Sequence, residues 1–249
     1  MWGNEIRTQM PALDPASARS ILVDRTLLRL SATLLLAGLL FTFLVGILHT
    51  DREKANDHPA AFADYASSDI WTAVHLGQFV GMVIVVAGLL VLFYALNAQT
   101  GVAGWAARFG SVAAIVALAL YGVLQAVDGV ALKQAVDAWV SAPDSEKAAR
   151  FASAEAIRWL EWGVRSYQSF MLGLSFVLFA TVMVSIRPVT RVVGYLMGLT
   201  GLAYIAQGWV LGAEGFSATN TAPTLLAYIL WLVWSSWLLL SAGRARETT

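Results

Sequence analysis

Six apolar runs set the plan of the chain, roughly residues 27–48, 71–96, 105–127, 167–186, 192–213 and 223–240, with polar segments between them. Each is about 18 to 26 residues long, and a hydrocarbon core about 30 Å thick is crossed by roughly 20 helical residues at 1.5 Å each. Leu, Ala and Val fill the runs without strict alternation, whereas barrel strands would be shorter and would alternate. The pattern predicts an all-α fold, a six-transmembrane helical bundle over residues 27–242. A cytoplasmic N-terminal tail, 1–26, and a cytoplasmic C-terminal tail, 243–249, flank it.

The connecting segments are unequal. The first, 49–70, holds Pro59, which prevents one unbroken helix, and its Phe62 and Tyr65 are expected to fold back onto the bundle. The third keeps helical spacing over 128–140 and 148–161, with SAPDSEK as the turn and Pro143 supporting it. Helices three and four are therefore expected to continue outside the membrane as an amphipathic hairpin, 128–165. Thr221 followed by Pro223 marks the expected start of the sixth helix.

Charge gives the orientation. Arg7, Arg19, Arg25, Arg29, Arg108, Arg187, Arg191, Arg244 and Arg246 lie on one side, facing only Glu5, Asp14, Asp24 and Glu247. The other side holds seven cations and twelve carboxylates. An excess of Lys and Arg marks the cytoplasmic side, so both termini are expected inside. Residues 1–20 lack the apolar core of a cleavable signal, and the first run is expected to be retained as a span.

Composition agrees. The chain is 58% hydrophobic and 13% charged, against about 25% charged in soluble domains, so the lipid bilayer is the one partner the pattern demands. Net charge is zero with no basic block, which excludes nucleic acid as a partner. There is no Cys, hence no disulfide, thiolate ligand or thiol nucleophile.

The stretch EAIRWLEWGVRSYQ places Arg158, Glu161, Arg165 and Gln168 on one helical face. Counting twenty residues, about 30 Å, from each cytoplasmic helix end reaches His49, then His75 with Gln78, then Asp128. Counted from Arg187 and Arg191, the same depth reaches Arg165 with Gln168 and, one turn beyond, Glu214. Tyr121 and Gln125 share a face with Asp128, and Tyr204 and Gln207 share one with Glu214. Thr72 shares the face of His75 and Gln78. Polar side chains in spans turn toward partners or water. The expected picture is an outward-facing funnel narrowing at Tyr121, Gln125 and Gln207 and walled by the hairpin. The competing reading is a solvated headgroup layer, with Trp71, Trp139, Trp159, Trp162 and Trp209 as an aromatic belt and the charges as a surface ion-pair ladder.

Chemistry adds alternatives. His49, His58 and His75 all lie toward the outer side, where Asp128, Glu161 or Glu214 would complete a zinc- or iron-type shell. No paired-histidine motif is present, so each ligand must come from a different segment, and no cofactor follows from a motif. A bis-histidine haem on His49 and His75 would use the space beside Gly46, Gly77 and Gly81, residues that serve helix packing equally well. Glu161 and Asp128 are candidate acid–base groups, and Arg158 with Arg165 a candidate anion clamp. Three functions remain open. One is a vestibule that binds or transports a small polar or anionic solute or an ion. Another is a membrane-embedded metalloenzyme using His49, His75 and carboxylates. The last is an interaction subunit whose hairpin and first loop hold a partner protein or a second copy.

The stretches NDHPAAFADYASSDIWTAVHLGQF, YGVLQAVDGVALKQAVDAW and AEAIRWLEWG resemble a group of small bacterial integral membrane proteins. The resemblance covers most of the chain. It implies six spans in a bacterial cytoplasmic membrane and assigns no activity to any residue.

Overall fold

The computed structural model describes residues 24–50, 52–98, 100–186 and 188–244. Most of the two expected tails, and Arg187, lie outside the described residues. The elements are α1 (Arg25–Gly46), α2 (His58–Ala66), α3 (Trp71–Leu96), α4 (Gly101–Ala126), a π-helical segment (Val127–Leu132), α5 (Lys133–Val140), α6 (Asp144–Ile186), α7 (Pro188–Glu214) and α8 (Ala218–Arg244). No strand occurs among the described residues. α4, the π segment and α5 run on as one helix, so among the described residues six helices are long and apolar enough to cross a membrane. The fold is that of a multi-pass membrane bundle.

Helix boundaries follow local chemistry. The Asp24 carboxylate accepts from the amides of Thr26 and Leu27 at 2.9 and 3.0 Å and so caps α1. In the first connector Pro59 occupies the opening turn of α2, where its missing N–H costs nothing. The turn after α5 is shorter than SAPDSEK. α6 already begins at Asp144, because the Pro143 carbonyl accepts from Glu146 and Lys147 and two acids sit at the positive helix end. α8 likewise starts earlier than Thr221, at Ala218, with Pro223 inside it. Pro223 removes one intrahelical bond there, while the Thr224 hydroxyl supplies another to the Asn220 carbonyl at 2.7 Å.

Large side chains such as Phe176, Phe179 and Trp234 fill the interior, and small residues set how closely the helices approach. α6 lies most extensively against α7, then α1 against α3 and α4 against α6. A Cβ on Gly173 would stand 2.5 Å from the Gly201 carbonyl oxygen, and one on Gly201 2.6 Å from that of Gly173. The two backbones touch at that point, a contact only glycine permits. Serines reinforce such contacts: Ser31 donates to the Gly88 carbonyl, Ser166 to Gly208 and Ser175 to Gly110, at 2.7–2.8 Å. Close backbones and interhelical hydrogen bonds hold helices together where lipid removes the hydrophobic drive between them. Outward faces stay apolar, with Leu44, Val102, Ile115, Leu202 and Ile229 exposed.

A second, smaller core lies at one end. Phe62 and Tyr65 of α2 pack on Trp71, Leu132, Val136 and Ala154, so the first connector does fold back onto the helices. Lys133 ties α5 to α2 by donating to the Ala66 carbonyl, and it also pairs with Asp137 at 2.8 Å.

Candidate functional site

Beneath this second core, α1, α3, the π segment and α6 converge. Trp71 is the first residue of α3, buried, and its indole N–H donates to the Asp128 carbonyl at 2.9 Å. Thr72 donates to the Gly129 carbonyl at 2.8 Å. Two carbonyls of the π segment are thus held by side chains of α3 rather than by their own helix alone. Gly129 lets this happen: a Cβ there would sit 2.5 Å from the His75 Cβ. The wider π turn and the missing side chain bring Asp128 against His75, whose Nε2 lies 2.9 Å from Asp128 Oδ2. π turns recur at functional sites because they re-aim side chains in this way.

His49 arrives from the coil after α1. Its ring centroid is 4.6 Å from that of Trp71 and 5.1 Å from that of His75. Tyr65 also packs on Trp71, with ring centroids 4.3 Å apart. The result is an aromatic corner around both imidazoles.

α6 supplies the opposite wall. The predicted stripe is on one face, and it is inside the protein: Arg158 is 3% exposed and Glu161 1%. These two form a buried ion pair. Arg158 also donates to the Tyr65 hydroxyl at 3.0 Å and lies over the Phe216 ring at 4.9 Å. A solvated surface ladder does not describe this geometry. Arg165, two turns on, forms no ion pair with a carboxylate among the described residues; it lies over the Tyr121 ring at 5.7 Å, and its Nε is buried without an acceptor.

A cavity of about 250 Å³ opens between these walls. Of the residues singled out from sequence, His49, Gln78, Gln125 and Asp128 line it from one side and Arg158, Glu161 and Arg165 from the other. Below it a void of about 30 Å³ is bounded by Tyr121, Arg165, Gln168, Tyr204 and Tyr228. Arg165 belongs to both spaces. A third, mostly apolar cleft between α3 and α4 reaches His75 and Gln125 from the outer face of the bundle.

Some expected members stand elsewhere. His58 pairs with Glu155 at 2.9 Å and stacks on Phe62, away from the other two histidines. Glu214 is exposed at the end of α7 and accepts from Ser217. Gln207 is buried between α6, α7 and α8, bonded to Ser169 and Thr224, and lines neither cavity. Tyr65, Trp71 as a site residue, Phe216 and Tyr228 were not anticipated. Of these only Tyr65 and Trp71 had a sequence signal, an aromatic at each end of the segment leading into His75.

Among the described residues, polar atoms around the cavities that are buried without a hydrogen-bond partner include Gln125 Oε1, Asp128 Oδ1, Arg158 Nε, Arg165 Nε and Gln168 Nε2. Buried polar atoms are nearly always satisfied, so unmatched ones clustered on one cavity mark where a ligand or water completes the set. The chain matches no protein-family model, no curated protein and no solved structure.

Proposed function

We propose that this chain is a multi-pass protein of a bacterial cytoplasmic membrane whose outward-facing pocket binds or transports a small polar or anionic solute. One observation carries the reading: Arg165, half-buried with its Nε fully buried, lines the cavity and forms no ion pair with a carboxylate among the described residues. A charge taken from water needs a partner, and an arginine fork offers two parallel bonds to a carboxylate or phosphate. The unmatched atoms also give the ligand a direction. Arg165 and Gln168 present donors at the inner end, while toward the outer end Gln125 and Asp128 present acceptors beside the Arg158 Nε donor. About 250 Å³ is below the roughly 300–1,000 Å³ of drug-sized pockets, so the ligand is small.

Thermal-shift titrations of the detergent-purified protein with acetate, glycine and inorganic phosphate test this. A ligand at 100 times its Kd stabilises the folded state by about 2.7 kcal/mol. Arg165→Ala is expected to weaken the response at least tenfold, since charge-assisted bonds contribute about 1.5–3 kcal/mol. Equal responses in wild type and Arg165→Ala would sink the proposal.

Orientation rests on the arginine asymmetry together with length. The continuous helix Gly101–Val140 has 40 residues, about 60 Å, and α6 has 43, each about twice a hydrocarbon core. The excess carries the charged pairs Lys133–Asp137 and Glu146–Arg150. In this reading the α5–α6 hairpin and α2 stand outside and roof the pocket, with both termini inside. Because the chain has no Cys, single substitutions report cleanly. Ala142→Cys is expected to react with an impermeant maleimide on intact cells, and Thr249→Cys only after permeabilisation. The opposite pattern would invert the orientation.

A further inference from the structure

We propose that His49, His75 and Asp128 form a binding site for a divalent transition-metal ion of the zinc class, open on one side to the cavity. This deepens the pocket reading above by naming what occupies its outer, acceptor-rich end. One donor atom from each of the three residues lies within 4.8 Å of the other two, and the three come from separate segments that the fold brings together. Donors around a tetrahedral ion bonded at about 2.0–2.1 Å stand roughly 3.3 Å apart. His75 Nε2 and Asp128 Oδ2, at 2.9 Å, are already near that spacing. The wider separations therefore involve His49, which sits in the turn past α1, its amide bonded to the Gly46 carbonyl at 3.0 Å.

The protonation logic points the same way. His75 Nδ1 lies 2.8 Å from the Trp71 carbonyl oxygen, which can only accept, so Nδ1 carries the hydrogen. In the neutral ring Nε2 is then a lone pair aimed at a carboxylate, an arrangement that needs a cation between them or a second proton on the ring. A histidine anchored through its other nitrogen to a backbone carbonyl is the arrangement that metal-ligating imidazoles adopt. His75 is 2% exposed, and Trp71, which holds it, also holds the Asp128 carbonyl, so ligand and carboxylate share one support. Asp128 Oδ1 is buried and unmatched beside the cavity, which the paired oxygen alone does not explain.

The donor set selects the metal class. Two imidazoles and one carboxylate suit zinc or ferrous iron, whereas calcium and magnesium take oxygen shells. Three protein ligands leave a coordination position free, and it faces the cavity that Gln125, Glu161 and Arg165 line. A bound dication would turn a set of four charges that balance, Arg158 and Arg165 against Asp128 and Glu161, into a site with net positive charge. An anionic solute would then bridge the ion and Arg165.

The test is metal content and metal titration on the full chain in detergent. Protein purified without chelator and incubated with zinc chloride, then dialysed, is expected to retain about one ion per chain, with ferrous iron added anaerobically in a parallel arm. His49→Ala, His75→Ala and Asp128→Asn are each expected to weaken binding more than tenfold, while His58→Ala keeps it. Cobalt(II) titration of wild type is expected to give the intense visible bands of a low-coordinate nitrogen–oxygen site. That reading does not depend on whether any variant folds. Wild type that neither retains zinc or iron nor changes its cobalt spectrum overturns the proposal, as do the three variants holding wild-type metal. Failure here is separable from failure of the solute reading. No metal retained, with solute responses that still need Arg165, removes the metal alone; metal bound by a protein whose solute response ignores Arg165 removes the solute reading alone.

Discussion

Glu161→Ala is expected to destabilise the protein by about 3–5 kcal/mol, a fall in Tm of roughly 10 °C for a chain of this size. The two side chains of the Arg158–Glu161 pair are 4% and 2% exposed, so removing the carboxylate leaves a guanidinium charged in the protein interior. Surface pairs at the same i,i+3 spacing contribute only about 0.2–0.5 kcal/mol, and burial is what separates the two cases. Tyr65 and Phe216 would still contact Arg158, but a hydroxyl and a ring face replace little of a full countercharge. The double variant Arg158→Met with Glu161→Leu is expected to recover most of the loss, because an apolar pair leaves no charge uncompensated. Thermal unfolding in one detergent gives all three values. A Glu161→Ala shift no larger than that of an exposed pair such as Glu146–Arg150 would show that water reaches the buried pair freely.

Gly129→Ala has the second large effect, and it separates stability from the site. The added methyl would meet His75 Cβ at 2.5 Å and Cγ at 2.9 Å. His75 cannot simply turn away, since its ring is held by the Trp71 carbonyl and by Asp128. Overpacking of this kind costs about 1–3 kcal/mol. The clash is relieved by moving the π segment off α3, which pulls Asp128 from His75. Metal retention and solute response are therefore expected to fall much further than Tm. The same substitution at Gly163, where nothing lies within 4 Å of the added Cβ, is expected to stabilise α6 by up to about 1 kcal/mol through helix propensity alone. Gly129→Ala with full metal retention and an unchanged Tm would show that the contact is loose.

The six long helices were legible because a bilayer imposes a length and an apolar composition that no other environment requires together. The stripe on α6 was legible because 3, 4 and 3 residue spacings fix a shared face whatever surrounds it. Counting depth brought His49, His75, Asp128 and Arg165 to one level, and the structure places these four around one corner of the bundle. The depth count did not find the cavity for Glu214, nor did the helical face shared with it for Gln207. Depth fixes height along a helix and says nothing about direction around the bundle, and α7 turns both residues away from the cavity. Burial of Arg158 and Glu161 was not legible either, because it depends on α2 and Phe216 closing over them, and such contacts between distant segments leave no periodic trace. The π segment was invisible for a plainer reason: VDGVAL is ordinary helical sequence, and only its neighbours on α3 reveal the extra width.

That segment also sets a rule about chain length. A π turn holds one residue more than the α-helical path it interrupts. Deleting one residue between Gln125 and Leu132 would restore regular α-helical pitch there and leave α5 in register with α4, since the extra residue is what the wide turn absorbs. Asp128 would lose its place beside His75, while Val136 would keep its place beside Phe62 and Tyr65. The site and the small core above it are thus separable through a single count of residues. The segment serves the site by its number of residues as well as by Gly129 and Asp128.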